Sequence, residues 1–323
     1  MTGDADEDRQ SGAAVRERHG LREPRQKRST RLDINGWINL DKPTGISSTQ
    51  AVGRIKFLFN AKKAGHAGTL DPLASGVLPV ALGEATKTVP VVQDGAKSYR
   101  FRVRWGEQSA TDDAEGEIVA RSDRRPAPAE IESFLPRFVG EILQTPPTYS
   151  AIRIAGARAY DLARDGETFE IEPRPINVYR LDLISADPDH AVLEAECGKG
   201  AYVRAIARDL GRALGCYGHV IELHRTRVGP FSVETGIPLD RLPDDADLMA
   251  RAILPLQAGL GEIPIVPVDR SAAATLRRGQ KLLLRGLAPT QGRAYVECFG
   301  TPIAFGVVED GYFVSTRVFN LRG

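Results

Sequence analysis

The chain has 323 residues, a formal net charge of +1, 42% hydrophobic residues and 26% charged ones. That is one large domain or two ordinary ones, and a charge so near zero excludes a protein that holds a polyanion by its global field; a nucleic-acid partner must be gripped by local patches. Cys197, Cys216 and Cys298 lie far apart with no C-x-x-C and no Cys/His cluster, which argues against a zinc site and a disulfide framework.

No apolar run approaches the roughly 18 residues of a membrane span, and the N-terminal stretch has no signal-peptide core, so a reduced cytoplasm is expected. Residues 1–32 are expected to be a disordered charged tail. Asp4, Asp6, Glu7 and Asp8 make an acidic tip, and from Arg9 to Arg31 eight Lys/Arg stand against Glu17 and Glu23. Such a segment is a solvated tail or a basic arm with non-specific attraction to RNA.

Order is predicted from Asp33. INGWINLDKP reads as a strand running into a turn at Lys42-Pro43. Ser47 with Gln50 has the capping-box pattern, and Ala51, Ile55, Leu58 and Phe59 then mark one helix face. A loop over 61–75 leads into GVLPVAL, a short buried strand. GEATKTVPVVQ reads as helical until Pro90 interrupts it. KSYRFRVRW, 97–105, alternates: Tyr99, Phe101, Val103 and Trp105 share one face, Arg100, Arg102 and Arg104 the other. The arginines either contact RNA or pair with acids across a sheet. Further strands are predicted at GEIVAR, TYSAIRIAG, NVYRLDLISA, AVLEAECG and HVIELHRTRV, and helices at 128–138, 157–165 and 201–214. Arg208 and Arg212 follow Arg204 at helical spacing and read as a solvated or RNA-facing stripe. The segment 241–263 reads as helical before a linker. From Ile265, Gly279, Gly286, Gly292, Gly300, Gly306 and Gly311 punctuate short apolar strands, and Asp310-Gly311 signals a hairpin. Many strands without regular βαβ alternation imply an α+β fold with a large, mostly antiparallel sheet, plus a small β-barrel-like domain over 264–323.

Asp71 lies in GHAGTLDPLASG, 65–76. An Asp before Pro is ordinarily a turn or cap residue. Metal chemistry lacks partner ligands here, glycoside hydrolysis needs two carboxylates, and an aspartic-protease pair is missing. A single carboxylate acting as nucleophile or electrostatic partner is the chemistry that remains.

The run GHAGTLDPLASGVLPVALGEATK closely resembles the central motif of the TruB family of pseudouridine synthases. LDKPTGISS, KSYRFRVRWG, PPTYSAIRIAGARAYDLARDG, CGKGAYVRAIARDLG and LHRTRVGPF agree in the family's order, covering most of 34–235. The resemblance implies a pseudouridine synthase catalytic domain over 33–258 and, more weakly, a PUA-like RNA-binding domain over 264–323. It implies that Asp71 is the catalytic aspartate, that Tyr99 stacks on the target base, and that Arg204 pairs with the aspartate. It further implies that His66 enters the RNA loop as the target nucleotide leaves, that Leu223 lines the base pocket, and that Lys42-Pro43 form the turn beside the site. Gly68 and Leu70 flank the aspartate and join the substrate-binding set. Lys62, Lys63 and Arg225 are candidates for RNA phosphates. Taken alone, Tyr99 reads as a core tyrosine, His66 as a loop histidine and Arg204 as a helix-surface arginine. Ala67, Ser109-Ala110-Thr111, Arg153 and His224 depart from the usual family pattern, which touches RNA contacts rather than the catalytic set.

The physics suits these roles. Pseudouridine formation breaks N1–C1′, turns the uracil and joins C5 to C1′, without redox change, so no cofactor and no metal are expected. Burial would neutralise the carboxylate; a guanidinium opposes that and never deprotonates. The carboxylate could attack C1′, add to C6, or assist proton loss from the ribose, in each case on a base flipped from its stack. The expected activity is conversion of the T-loop uridine at tRNA position 55, with the T-arm and elbow of tRNA as partner, no membrane, and a monomeric enzyme. The alternatives are a guide-RNA-dependent pseudouridine synthase subunit and a non-catalytic tRNA-binding or tRNA-folding protein.

Overall fold

A computed structural model describes residues 30–321, apart from 151, 155–156, 262 and 285–290. The expected tail therefore lies almost wholly outside the described residues, as does Gly286. From Leu32 onward the chain forms one unit built on a ten-stranded sheet.

Strand β1 (Gly36–Lys42) runs into the Lys42-Pro43 turn. Ser47 then opens helix α1 (Ser48–Leu58) reciprocally: Gln50 N–H donates to Ser47 Oγ, and Ser47 N–H donates to Gln50 Oε1. The helix buries Ala51 and Ile55, and Phe59 follows just past its end. A short strand β2 (Ala64–His66) lies along β3 (Ser75–Leu82), which pairs antiparallel with β1 from Gly36↔Leu82 to Lys42↔Gly76. Every residue of β1 and β3 except Asp41 and Ser75 is buried, Asn39 and Lys42 included. A tight turn over Gly83–Thr88 leads to α2 (Val89–Asp94). Pro90 does not interrupt this helix. It sits in its first turn, where a missing N–H leaves no bond unmade.

The sheet continues through β4 (Lys97–Trp105), β5 (Gly140–Gln144), β6 (Arg174–Ala186), β7 (His190–Cys197) and β8 (Gly218–Val228). Its order is Ile237–Pro238, β1, β3, β8, β4, β7, β6, β5, with β2 and Phe231–Ser232 attached beside it. Only the pairs β1 with Ile237–Pro238 and β3 with β8 run parallel among the described strands of this sheet. The fold is α+β with a mixed, mostly antiparallel sheet, as the irregular alternation of elements implied.

Helix α3 (Val203–Ala213) covers one face of that sheet. Val203, Ile206, Ala207 and Leu210 join Phe101, Val103, Trp105, Leu193, Val220 and Leu223 in the largest apolar cluster. Gly211 is required by this approach, since a Cβ there would lie 2.4 Å from the Gly218 nitrogen. The predicted helix over 128–138 is an α-helix over Pro128–Phe134 continued by a 3₁₀ turn over Leu135–Phe138; that over 157–165 is shorter, Ala159–Arg164; and 241–263 holds an α-helix at Ala246–Arg251 and a 3₁₀ turn at Leu256–Gly259 among its described residues.

The C-terminal residues form a five-stranded sheet in the order Ile265–Pro267, β9 (Gly292–Cys298), β10 (Thr301–Glu309), β11 (Tyr312–Val318), Leu282–Leu283. Asp310 and Gly311 turn β10 into β11 with φ of 49° and 77°, the left-handed pair a tight hairpin requires. This sheet is fastened to the rest. Tyr295 and Phe319 share an apolar cluster with Trp37, Val77, Val92 and Phe231. Asp94 pairs with both Lys199 at 2.9 Å and Arg293 at 2.8 Å. Lys87 Nζ bridges Glu84 at 2.6 Å and the Val318 carbonyl at 2.8 Å. Cys197, Cys216 and Cys298 are all buried and free. No helix among the described residues is long and apolar enough to cross a membrane.

Candidate active site

The loop that carries Asp71 is pinned on both sides. Upstream, Ala67 N–H donates to the Pro79 carbonyl at 2.9 Å. Ser48, the first residue of α1, holds Leu70 twice: its Oγ donates to the Leu70 carbonyl at 2.9 Å and accepts from Leu70 N–H at 2.8 Å. Downstream, Gly45 N–H donates to the Pro72 carbonyl at 2.8 Å and Ala74 N–H to the Asp71 carbonyl at 3.1 Å. Gly76, at φ 102°, lets β3 approach β8 so closely that a Cβ would sit 2.3 Å from the Arg225 carbonyl oxygen. The small residues of GHAGTLDPLASG thus make a rigid backbone, and they leave the Asp71 side chain 34% exposed.

Arg204, in the first turn of α3, meets that carboxylate with Nε at 3.0 Å from Asp71 Oδ2. The same guanidinium reaches Asp113 Oδ2 at 3.2 Å, the Thr111 carbonyl at 2.9 Å and the Tyr149 carbonyl at 3.0 Å. Asp113 is buried; its other oxygen accepts from Thr111 Oγ1 and from Glu115 N–H. One fixed fork therefore holds a buried carboxylate behind it and a half-open one in front. A lysine has no such planar geometry.

Arg208, one turn on, is buried as well. It contacts Asp112 at 2.9 Å, Asp209 at 2.8 Å and the Thr145 carbonyl at 2.7 Å. Its assignment to a solvated or RNA-facing stripe is corrected: the i+4 spacing from Arg204 puts it on the helix face that packs inward. Burial pushes the Asp112 carboxyl up, with the Arg208 charge opposing. Asp112 and Asp113 were not among the predicted site residues. The signal that marks them is a run of acids, Asp112, Asp113 and Glu115, directly after the arginine-rich strand.

Other predicted residues gather round this pair. Lys42 is fully buried, and its Nζ donates to the Pro43 carbonyl at 2.9 Å and the Ile46 carbonyl at 2.8 Å. Burial pushes its amine down to about 8, against the attraction of Asp71. This lysine fastens the turn at Pro43. Tyr99 stands on β4 opposite Arg225 of β8, and burial holds its hydroxyl above the usual tyrosine range. Leu223 stands opposite Phe101. A cleft of about 680 Å³ opens beside the Asp71 loop, lined by Thr44, Leu73, Phe101, Glu115, Leu223 and His224 among others. Burial, then the charges of Asp113 and Asp71, push the Glu115 carboxyl up. His66 is half-buried on β2, and burial holds its imidazole below the ordinary histidine range.

Lys62 and Lys63 are exposed past the far end of α1, ~16 Å along that helix from its junction with Leu70. Arg225 departs from its phosphate assignment. It is 2% exposed, and its guanidinium donates to the carbonyls of Val77, Thr69 and Gly68, so no phosphate can reach it. Arg100, Arg102 and Arg104 pair with acids: Glu194 at 3.9 Å, Glu222 at 3.5 Å and Glu107 at 3.2 Å. Among the described residues no three His, Cys, Asp or Glu side chains cluster as a metal site.

Residues 56–203 match the family model for the TruB family pseudouridylate synthase N-terminal domain, and residues 204–261 match that for the tRNA pseudouridylate synthase B C-terminal domain. The chain is 56% identical over 308 residues to tRNA pseudouridine synthase B of Bradyrhizobium diazoefficiens, covering 92% of this chain and 89% of that one. It is 52% identical over 329 residues to tRNA pseudouridine synthase B of Nitrobacter winogradskyi, covering 99% and 91%. Among solved structures it resembles one in a crystal structure of a Cbf5-Nop10-Gar1 complex, with a TM-score of 0.69 and 28% identity, covering 88% of this chain and 83% of that chain.

Proposed function

The chain belongs to the TruB family of pseudouridylate synthases, and from that premise we infer that it is a tRNA pseudouridine synthase in which Asp71 meets the target uridine. A role as a non-catalytic tRNA binder or as a guide-dependent subunit is not favoured, because relatives about half identical over nearly the whole chain carry the tRNA enzyme's name. The site assignment goes further than that likeness. The observation that carries it is the 3.0 Å contact between Arg204 and an Asp71 side chain that remains one-third open. Each route available to a single carboxylate needs it ionised and held still. Arg204 supports the first need and the pinned loop the second.

In this reading the T-loop uridine of tRNA is the target, with the T-arm and elbow against the protein. The flipped base stacks on Tyr99 and packs against Leu223, a platform contact worth about 1–3 kcal/mol. His66, neutral at pH 7, enters the loop that the base leaves. Residues 33–258 form the catalytic domain and 264–323 a PUA-like RNA-binding domain; Lys62 and Lys63 supply phosphate contacts. The enzyme works as a monomer in the cytoplasm, without cofactor or metal.

Tritium release from a tRNA transcript labelled at C5 of uridine tests this. Wild type should release tritium, Asp71→Asn should be slower by at least ~1,000-fold, and a transcript with cytidine at the T-loop position should give none. A folded wild type that binds tRNA yet releases nothing sinks the assignment.

A further inference from the structure

Arg225 is a buried cation with no carboxylate partner among the described residues. Its Nε donates to the Val77 carbonyl at 2.8 Å, Nη1 to the Thr69 carbonyl at 3.0 Å and Nη2 to the Gly68 carbonyl at 3.2 Å. Its charge also acts on the Tyr99 hydroxyl. Burying a charge without an ion pair is costly unless its donors are met, and here they are met by backbone on both sides of Asp71. Gly68 and Thr69 directly precede Leu70-Asp71, and Val77 follows the same loop on β3. Tyr99 is the cross-strand partner of Arg225 on β4.

The charged and titratable neighbours of the pair are Asp71, which acts on both, Cys197 near Tyr99, and Lys42, His66 and Lys97 near Arg225.

We propose that Arg225 is a positioning residue for the isomerisation, a single bracket that ties the Gly68–Thr69 backbone to the strand position opposite Tyr99. This rests on reading Asp71 and Tyr99 as the groups that meet the base. The bracket keeps the stacking ring and the carboxylate in register, so that a base seated on one is aligned with the other. A lysine would keep the charge and lose the fork.

The first variant is Arg225→Lys, assayed by tritium release and tRNA binding. The expected result is a kcat lower by about 100-fold, the scale of a small misplacement of reacting groups, with KM and tRNA affinity within about threefold. Combined with Tyr99→Phe, its effect should be far from additive. Arg225→Gln relieves the buried charge and is the second variant. In it the Tyr99 titration, read as the ultraviolet difference from Tyr99→Phe, should move to higher pH, because a cation that favours the phenolate is gone. A wild-type kcat in Arg225→Lys, or an unmoved Tyr99 titration in Arg225→Gln, overturns the proposal. If neither variant folds, Arg225→Met, which keeps much of the volume without a buried charge, takes their place: a loss of kcat at unchanged KM upholds the proposal, and wild-type kcat overturns it. An inactive wild type would instead sink the reading of the reaction, while the Tyr99 titration could still be measured.

Discussion

Two sets of arginine–carboxylate pairs lie on opposite faces of the same sheet. Under α3, Arg204 and Arg208 are 5% and 7% exposed, and their partners Asp113 and Asp112 are 2% and 5% exposed. On the other face Arg100, Arg102 and Arg104 have side chains 54%, 35% and 51% exposed. The residue types are alike; the exposed pairs are longer, 3.2–3.9 Å against 2.9–3.2 Å, and water reaches them. Exposed pairs are screened and contribute about 0–1 kcal/mol each. Breaking a buried pair leaves an uncompensated charge and costs about 3–5 kcal/mol. The buried set therefore acts as a stiff mount for Asp71, and the exposed set as a loosely held, solvated lattice.

The contrast is broken most directly at Arg204. Arg204→Met should lower the urea midpoint by the equivalent of about 3–5 kcal/mol and abolish tritium release. A loss no larger than that of Arg102→Met would show the two faces to be equivalent. Asp113→Asn should cost less, about 1–3 kcal/mol, since Arg204 keeps Asp71 and the Thr111 and Tyr149 carbonyls.

Lys42 sharpens the comparison through pH. Its folded-state value of about 8 lies below the ordinary 10.5, so the unfolded chain binds more protons between those values. Wild type should therefore gain stability relative to Lys42→Met as pH rises from about 8 toward about 10, measured as the difference in urea midpoints. A flat difference would mean that the amine does not feel its burial. Arg102→Met should have the smallest effect, within about 0.5 kcal/mol, and that effect should shrink further in high salt.

Several features were legible because their signal is local. The alternation of KSYRFRVRW placed β4 to the residue, and Ser47 with Gln50 placed the start of α1. What escaped depends on burial. Arg225 and Arg208 carry the same charge whether they face water or carbonyls, and a string of letters does not say which. Spacing offered a hint for Arg208, since a residue four after an inward-facing Arg204 faces inward too. Asp113 was hidden differently: its role exists only where the loop after β4 meets the first turn of α3, 91 residues on. The boundary between the two matching family regions falls directly before Arg204, so the contact to Asp71 spans both.

The three sealed thiols offer a way to time the opening of the molecule. Burial pushes the Cys197 thiol up to about 12 and the Cys216 thiol up to about 11, so neither forms a reactive thiolate while the chain is closed. Cys197 ends a central strand, Cys216 follows α3, and Cys298 ends β9 of the C-terminal sheet. A thiol-labelling reagent would mark each only when its own layer parts. Equal labelling rates for Cys197 and Cys298 would mean that the two sheets open as one body, and a faster Cys298 that the C-terminal sheet comes away first.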